Sequence, residues 1–136
     1  IDGELVDLGK TNIAFSPSVV VGNILEYRPI NNMSIGFLSK YVGEQYMGNI
    51  DSKKSKLDSY FINDLNLTYS FELPFVREIV LSALVNNIFN VKYISNGYFY
   101  TYDDDYSNPG VVKTIEGVGY FPQATTNFLV GATLKF

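Results

Sequence analysis

The sequence predicts an all-β chain, an antiparallel up-and-down meander of about five strands. Three observations predict it. Five segments alternate apolar and polar residues with a period of two, the period of a strand with one greasy face. All 5 prolines (Pro17, Pro29, Pro74, Pro109, Pro122) fall at the ends of these segments or between them, where a missing N–H does not interrupt a ladder. The connections alternate short and long, which in a meander puts the tight turns at one end of the sheet and the long loops at the other.

The first segment, "SVVVGNILEYR", sets Val19, Val21, Leu25 and Tyr27 against Ser18, Val20, Gly22, Ile24, Glu26 and Arg28. In "MSIGFLSKYVGEQYM", Met33, Ile35, Phe37 and Tyr41 oppose Ser34, Gly36, Leu38, Lys40 and Glu44. "YFINDLNLTYSF" sets Phe61, Leu65, Leu67, Tyr69 and Phe71 against Ile62, Asp64, Asn66, Thr68 and Ser70. "IVLSALVNNIF" also fits a helical stripe, but its β-branched content and Asn86-Asn87 favour a strand. In "FLVGATLKF", Phe128, Val130, Ala132, Leu134 and Phe136 make an apolar row opposite Leu129, Gly131, Thr133 and Lys135. The expected strands cover about 18–28, 33–47, 58–71, 79–92 and 122–136, with long outer loops at about 48–57 and 95–121.

The strand charges Glu26, Arg28, Lys40, Glu44, Asp64 and Lys135 all lie on the less apolar face. The greasy rows carry no charge and are interrupted only by Asn23, Ser39, Asn63 and Asn87. Short turns at one end, long loops at the other and strands of about 9–11 residues are the layout of an outer-membrane barrel. Tyr27, Tyr69 and Phe71 lie near the short-turn end, where an interfacial girdle belongs. Alternation does not say which face is inside, so a soluble sandwich or lipocalin-like barrel fits it equally. Five strands cannot close a barrel, so the membrane reading expects the chain to be the C-terminal piece of a larger one. An aromatic Phe136 at the end of a greasy row is also unusual for a terminus that frays into water.

Composition removes several function classes. With 10 Lys+Arg against 14 Asp+Glu and no basic run, no nucleic-acid partner is expected. The chain has no Cys and no His, so disulfides, thiolate metal sites and the commonest general base are missing. No phosphate loop or HExxH motif occurs, and no enzyme activity, cofactor or metal site is expected. The longest apolar run, "IVLSALV", is too short for a membrane helix, which says nothing about membrane strands.

"IAFSPSVV", "SKYVGEQYMGN", "LDSYFINDLNLTYSF", "LVNNIFNVKYISNGY" and "YFPQATTNFLVGATLKF" resemble, in order and spacing, the C-terminal end of TonB-dependent outer-membrane receptors of Bacteroidetes-type bacteria. The resemblance runs from about Ile13 to Phe136. It implies the last five strands of a plugged barrel of about 22 strands in the bacterial outer membrane, with the plug domain absent. It also implies uptake of a scarce nutrient energised through the TonB complex, which contacts the plug. The row Phe128, Val130, Ala132, Leu134 and Phe136 matches the family's barrel-assembly signal, an alternating edge strand open to capture by the assembly machinery. The ending resembles receptors for metal chelates (siderophore, haem or cobalamin) more than glycan importers. The partners implied are outer-membrane lipid, a small nutrient ligand, the TonB complex and the assembly machinery.

Two groups of residues are candidates for contact with a ligand. In "NGYFYTYDDDYSN", Tyr98, Tyr100, Tyr102 and Tyr106 surround Asp103, Asp104 and Asp105 in an outer loop, where phenols and carboxylates can grip a polar ligand. The run lacks the ligand spacing of an EF-hand loop. Lys40, Glu44 and Asp64 are expected to face a polar lumen. "NNIFN" has no chemistry assigned from first principles. The rival class is a small soluble β-domain that binds a ligand or partner protein.

Overall fold

The computed structural model describes residues 7–136. Its strands are β1 (Val20–Ile30), β2 (Met33–Val42), β3 (Gln45–Tyr46), β4 (Lys56–Leu57), β5 (Tyr60–Leu73), β6 (Val76–Asn86), β7 (Ile94–Asp104), β8 (Lys113–Pro122) and β9 (Asn127–Lys135). A single 3-10 turn, Lys53–Ser55, precedes β4 among the described residues. The chain divides into two units: one is Val19–Val42, Tyr60–Lys92 and Gln123–Phe136, and the other gathers Gly43–Ser59 and Tyr93–Pro122 with residues 7–18.

The first unit is a five-stranded antiparallel sheet in the order β1-β2-β5-β6-β9. Chain order and sheet order agree, so the meander expected from alternation is present. Two-residue links join β1 to β2 and β5 to β6, where Ile30 pairs with Met33 and Leu73 with Val76. The register shifts just before each link, so a bulge twists the strand ends there. Asn32 fastens the first turn to β5: its Nδ2 donates to the Ser70 carbonyl at 2.8 Å, and its own carbonyl accepts the Ser70 N–H at 2.8 Å.

The register assembles the residues of each face into rows across the sheet. Leu25, Phe37, Leu65, Val85 and Phe128 form one apolar row, and Tyr27, Ile35, Leu67, Ala83 and Val130 form the next. Met33, Tyr69, Leu81 and Ala132 follow, then Phe71, Ile79 and Leu134. The opposite face carries Glu26, Ser34, Lys40, Asp64, Asn66, Thr68, Ser82 and Thr133, mixed with Ile24, Leu38, Leu84 and Leu129. On the apolar face the edge strands are the most exposed, Leu25 at 60% and Phe128 and Val130 at 77% each, while Phe37, Leu65, Leu67 and Val85 on the central strands are half-buried.

The second unit contains what buried core it has. The β3–β4 pair and the β7–β8 hairpin enclose Met47 and Leu57, the latter only 2% exposed. Ser55 is fully buried, and its Oγ donates to the carbonyls of Ile50 at 2.8 Å and Ser52 at 2.9 Å. The Met47 N–H donates to the Ser55 carbonyl at 2.6 Å, closing the loop. Gly97 lies under Met47 Sδ and against the Gly119 carbonyl, with room for neither to meet a Cβ.

β1 and β5 each lie two residues later than the sequence expectation and β6 begins three residues earlier, and the larger differences have local causes. The second strand stops at Val42, because Gln45 and Tyr46 leave the sheet to pair with Leu57 and Lys56. The fourth stops at Asn86, because Asn87 takes φ 51° and turns the chain away. The last begins at Asn127. The stretch 95–121, expected as a long outer loop between the fourth and fifth strands, is mostly the β7–β8 hairpin; Tyr98-Phe99-Tyr100-Thr101-Tyr102 alternates as a strand does.

Candidate functional site

The β7–β8 hairpin presents Tyr98, Tyr100 and Tyr102 on one face, opposite Gly119, Gly117 and Ile115. Successive ring centroids are 6.3 and 6.4 Å apart with interplanar angles of 15° and 18°. That spacing is nearly the two-residue repeat of a strand, roughly 6.6 Å, and too long for rings piled face to face. The glycines explain the arrangement. A Cβ on Gly117 would fall 2.6 Å from Tyr100 Oη, and one on Gly119 would fall 2.5 Å from Tyr98 Oη. Each of these two rings therefore lies flat across the neighbouring strand, in space that only glycine leaves open. The rings pave the hairpin side by side, and Phe121 extends the paving at 6.0 Å from Tyr98. Their outer faces stay open: the three tyrosines are 52–53% exposed.

The other face of the hairpin is structural. Phe99 packs on Gly48, and Lys54 Nζ lies 3.9 Å from Glu116 Oε2. The Tyr120 hydroxyl donates to the Lys54 carbonyl at 3.4 Å.

The three aspartates do not converge. Asp103 accepts the Thr114 hydroxyl at 2.7 Å, whereas Asp104 stands in register with Lys113 on the tyrosine face. Asp104 Oδ1 accepts the N–H groups of Tyr106 and Ser107, each at 3.1 Å, and so caps the turn at the hairpin tip. Hydrogen bonds from Ser107 are the main cause that holds its carboxyl below the ordinary aspartate value. Asp105 and Tyr106 are exposed at that tip. Among the described residues, no three metal-ligating side chains come together.

The three residues expected at the lumen have separate placements. Lys40 is exposed on the polar face of β2, between Gly22 and Ile62. Glu44 lies beyond the end of β2 in the other unit, where it pairs with Lys56 Nζ at 2.7 Å. That bond raises the Lys56 ammonium above its ordinary value. Asp64 Oδ1 accepts the Asn87 N–H at 2.7 Å and is half-buried on the polar face. On the same face, Ile24, Glu26, Ser34, Gly36, Leu38, Asn66 and Thr68 line a shallow depression.

"NNIFN" acquires a role that sequence reasoning missed. Asn87 and Asn90 both have positive φ, 51° and 55°, which Asn tolerates better than most residues. The Asn87 amide closes a loop onto Val91, accepting its N–H at 2.9 Å and donating to its carbonyl at 2.8 Å. The Thr126 hydroxyl donates to the Asn87 carbonyl at 2.7 Å, and Ile88 N–H to the Asn63 carbonyl at 2.9 Å. The motif is a corner that ends β6 and ties it to β5 and to the approach to β9. Beside it the polar interruptions of the greasy rows line up in register as Asn23–Ser39–Asn63. The Ser39 hydroxyl donates to Asn63 Oδ1 at 2.7 Å.

Comparison with family models, with curated proteins and with solved structures finds no match. No helix among the described residues is long and apolar enough to cross a membrane, a criterion that does not apply to strands.

Proposed function

We propose that this chain is the C-terminal barrel segment of an outer-membrane active-transport receptor of the TonB-dependent type, importing a scarce nutrient. The observation that carries this reading is the apolar face of the five-stranded sheet, most exposed at its edge strands. Burying a Phe, Leu or Val side chain is worth roughly 1.5–3 kcal/mol, and a water-soluble domain would cover such rows. Here the rows from Leu25–Phe128 to Phe71–Leu134 form a band of apolar side chains, several more than half exposed. Lipid is the solvent that such a band suits. Four of the five strands, at 9–11 residues, match the length a tilted membrane strand needs, and β5, at 14, exceeds it.

In this reading the mixed face of the sheet borders the lumen. The connections 43–59 and 93–122, which both leave the sheet at the Val42–Asn86 end, form the outer side. The open edges of β1 and β9 pair with further strands of the barrel, because hydrocarbon does not tolerate unpaired edges. The exposed row of β9 is the strand that the assembly machinery captures. Ligand is held by the outer hairpin and released inward when the TonB complex acts on the plug.

The test is fractionation of the source organism followed by a denatured mass. The expected result is an outer-membrane polypeptide several times the 15.3 kDa of this chain, with a gel mobility that changes on heating. A polypeptide of about 15.3 kDa recovered from the soluble fraction would overturn the reading in favour of a soluble β-domain.

A further inference from the structure

We propose that the face of β9 opposite its apolar row is a register lock. Asn127, Gly131 and Lys135 admit one alignment of the last strand against β6 and exclude slips of two residues.

Alternation does not choose that alignment. A slip of one residue turns every side chain of β9 to the other face, but a slip of two keeps each on its own. Shifted by two in one direction, Ala132 would stand opposite Ala83 and Val130 opposite Val85. Shifted in the other, Val130 would stand opposite Leu81 and Ala132 opposite Ile79. Both are as apolar as the native pairing of Val130 with Ala83 and Ala132 with Leu81. The apolar row therefore carries no information about register.

The other face carries it at three points, each four residues from the next. Lys135 Nζ donates to Glu78 Oε2, directly opposite, at 2.6 Å. At the far end of the ladder Asn86 Nδ2 donates to Asn127 Oδ1 at 2.9 Å. Midway, the Ser82 hydroxyl donates to the Gly131 carbonyl at 3.4 Å and occupies space where a Cβ on Gly131 would fall 2.9 Å from its Oγ. A slip of two breaks all three. In one direction Lys135 faces Val80, Asn86 faces Leu129 and Leu84 faces Gly131. In the other Lys135 faces Val76, Asn127 faces Leu84 and Leu129 comes against Ser82.

The placement of these bonds follows the connections. β1–β2 and β5–β6 are joined by two-residue links, which set register by their own length. β2–β5 and β6–β9 are joined through 43–59 and 87–126, which are too long to do so. Side chains directly opposite in register bond to each other in these two ladders: Ser39 to Asn63 at 2.7 Å in the first, and both ends of the lock in the second. The Ser34–Glu26 bond of β1–β2 is diagonal, since Gly36 is the residue opposite Glu26. The Asn87 corner reinforces the Asn127 end of the lock through Thr126, and Glu78–Lys135 holds the other.

The experiment places cysteine pairs in the full-length protein, with any other cysteines replaced, and oxidises them after assembly in its own host. A disulfide needs Cα atoms within about 7 Å, which opposed residues satisfy and diagonal neighbours, at about 7–8 Å, do not. Ala83→Cys with Val130→Cys reports the native register, and Ala83→Cys with Ala132→Cys or Phe128→Cys reports the two slips. With the lock intact, the native pair is expected to cross-link at least about tenfold more than either slipped pair. Asn127→Ala with Lys135→Ala is expected to bring a slipped pair within about threefold of the native one. Lys135→Ala alone is expected to raise a slipped pair about threefold, which keeps the test open if the double variant does not assemble. Exchanging the charges, Glu78→Lys with Lys135→Glu, is expected to keep the native preference. Leu134→Ala trims the apolar row and leaves the lock, so it is expected to lower stability without adding slipped cross-links. No gain of slipped cross-links on removing the lock, or an equal gain in Leu134→Ala, would overturn the proposal. Cross-links report strand pairing in lipid and in water alike, so a soluble protein would lose the transport reading and leave this inference standing.

Discussion

Arginine in place of Val130 separates lipid from water as the medium around the apolar face. Val130 lies in the middle of the band, at the end of the row Tyr27–Ile35–Leu67–Ala83, and it is 77% exposed. If water met this face, a charged side chain there would change stability by no more than about 0.5 kcal/mol. If hydrocarbon meets it, the cost is about 2–4 kcal/mol near the midplane of the bilayer. That corresponds to a folded-to-unfolded ratio lower by roughly 30- to 700-fold. Thr133→Arg, three residues on and on the opposite face opposite Val80, is the matched control, and it is expected within about 0.5 kcal/mol of wild type. The assay is folding of the full-length protein into lipid vesicles across a urea series, followed by the gel-mobility shift on heating. Equal midpoints for Val130→Arg and Thr133→Arg would refute the assignment of faces.

Three further outcomes follow from the geometry. Asn87→Ala loses both bonds to Val91 and puts a Cβ residue without an amide at φ 51°, so a loss of about 2–3 kcal/mol is expected, with Asn87→Gly losing less; urea midpoints decide it. The Asp104 carboxyl is depressed by the turn it caps, so its contribution is full above the ordinary aspartate value and fades as pH falls through the lower folded value. Amide exchange at Tyr106 and Ser107 should therefore speed up, relative to its intrinsic rate, only in acid below that ordinary value, and Asp104→Asn should remove the pH step. Gly97→Ala forces a Cβ to within 2.5 Å of both Met47 Sδ and the Gly119 carbonyl, and the backbone atom cannot give way cheaply. A cost of about 1–3 kcal/mol and faster proteolysis within 93–122 are expected, whereas Gly22→Ala, with open space around it, should leave both unchanged.

Much of the sheet was legible because its signal is local. Alternation in "YFINDLNLTYSF" fixes which residues share a face without reference to any partner strand, and the prolines mark where ladders stop. The features that make a site depend on register instead. Asn23, Ser39 and Asn63 read singly are blemishes, and only pairing shows them as one row across three strands. The Asn87 corner draws on Asp64 and Thr126, more than twenty residues away on either side, which no local pattern encodes. The hairpin carried a usable signal in the alternation of Tyr98, Tyr100 and Tyr102. Treating the whole stretch as one long connection of the meander concealed it, and the matching of Gly117 and Gly119 to Tyr100 and Tyr98 needs the strand pairing. Alternation places Glu44 on the polar face of the second strand, but β2 ends at Val42, so beyond it the period of two says nothing about where a side chain points.

The central claim is that the Phe128–Leu134 row faces lipid while its alternate residues do not. The 136 residues contain no cysteine, so single cysteines can be introduced along β9 for spin labelling without competition from this segment. Collision of each label with dissolved oxygen, which concentrates in the bilayer, is measured against collision with a water-soluble nickel chelate. Labels at Phe128, Val130 and Leu134 are expected to be open to oxygen and shielded from nickel, with the reverse at Gly131 and Thr133. Equal access of the nickel chelate to both sets, in protein reconstituted into vesicles, would contradict the account.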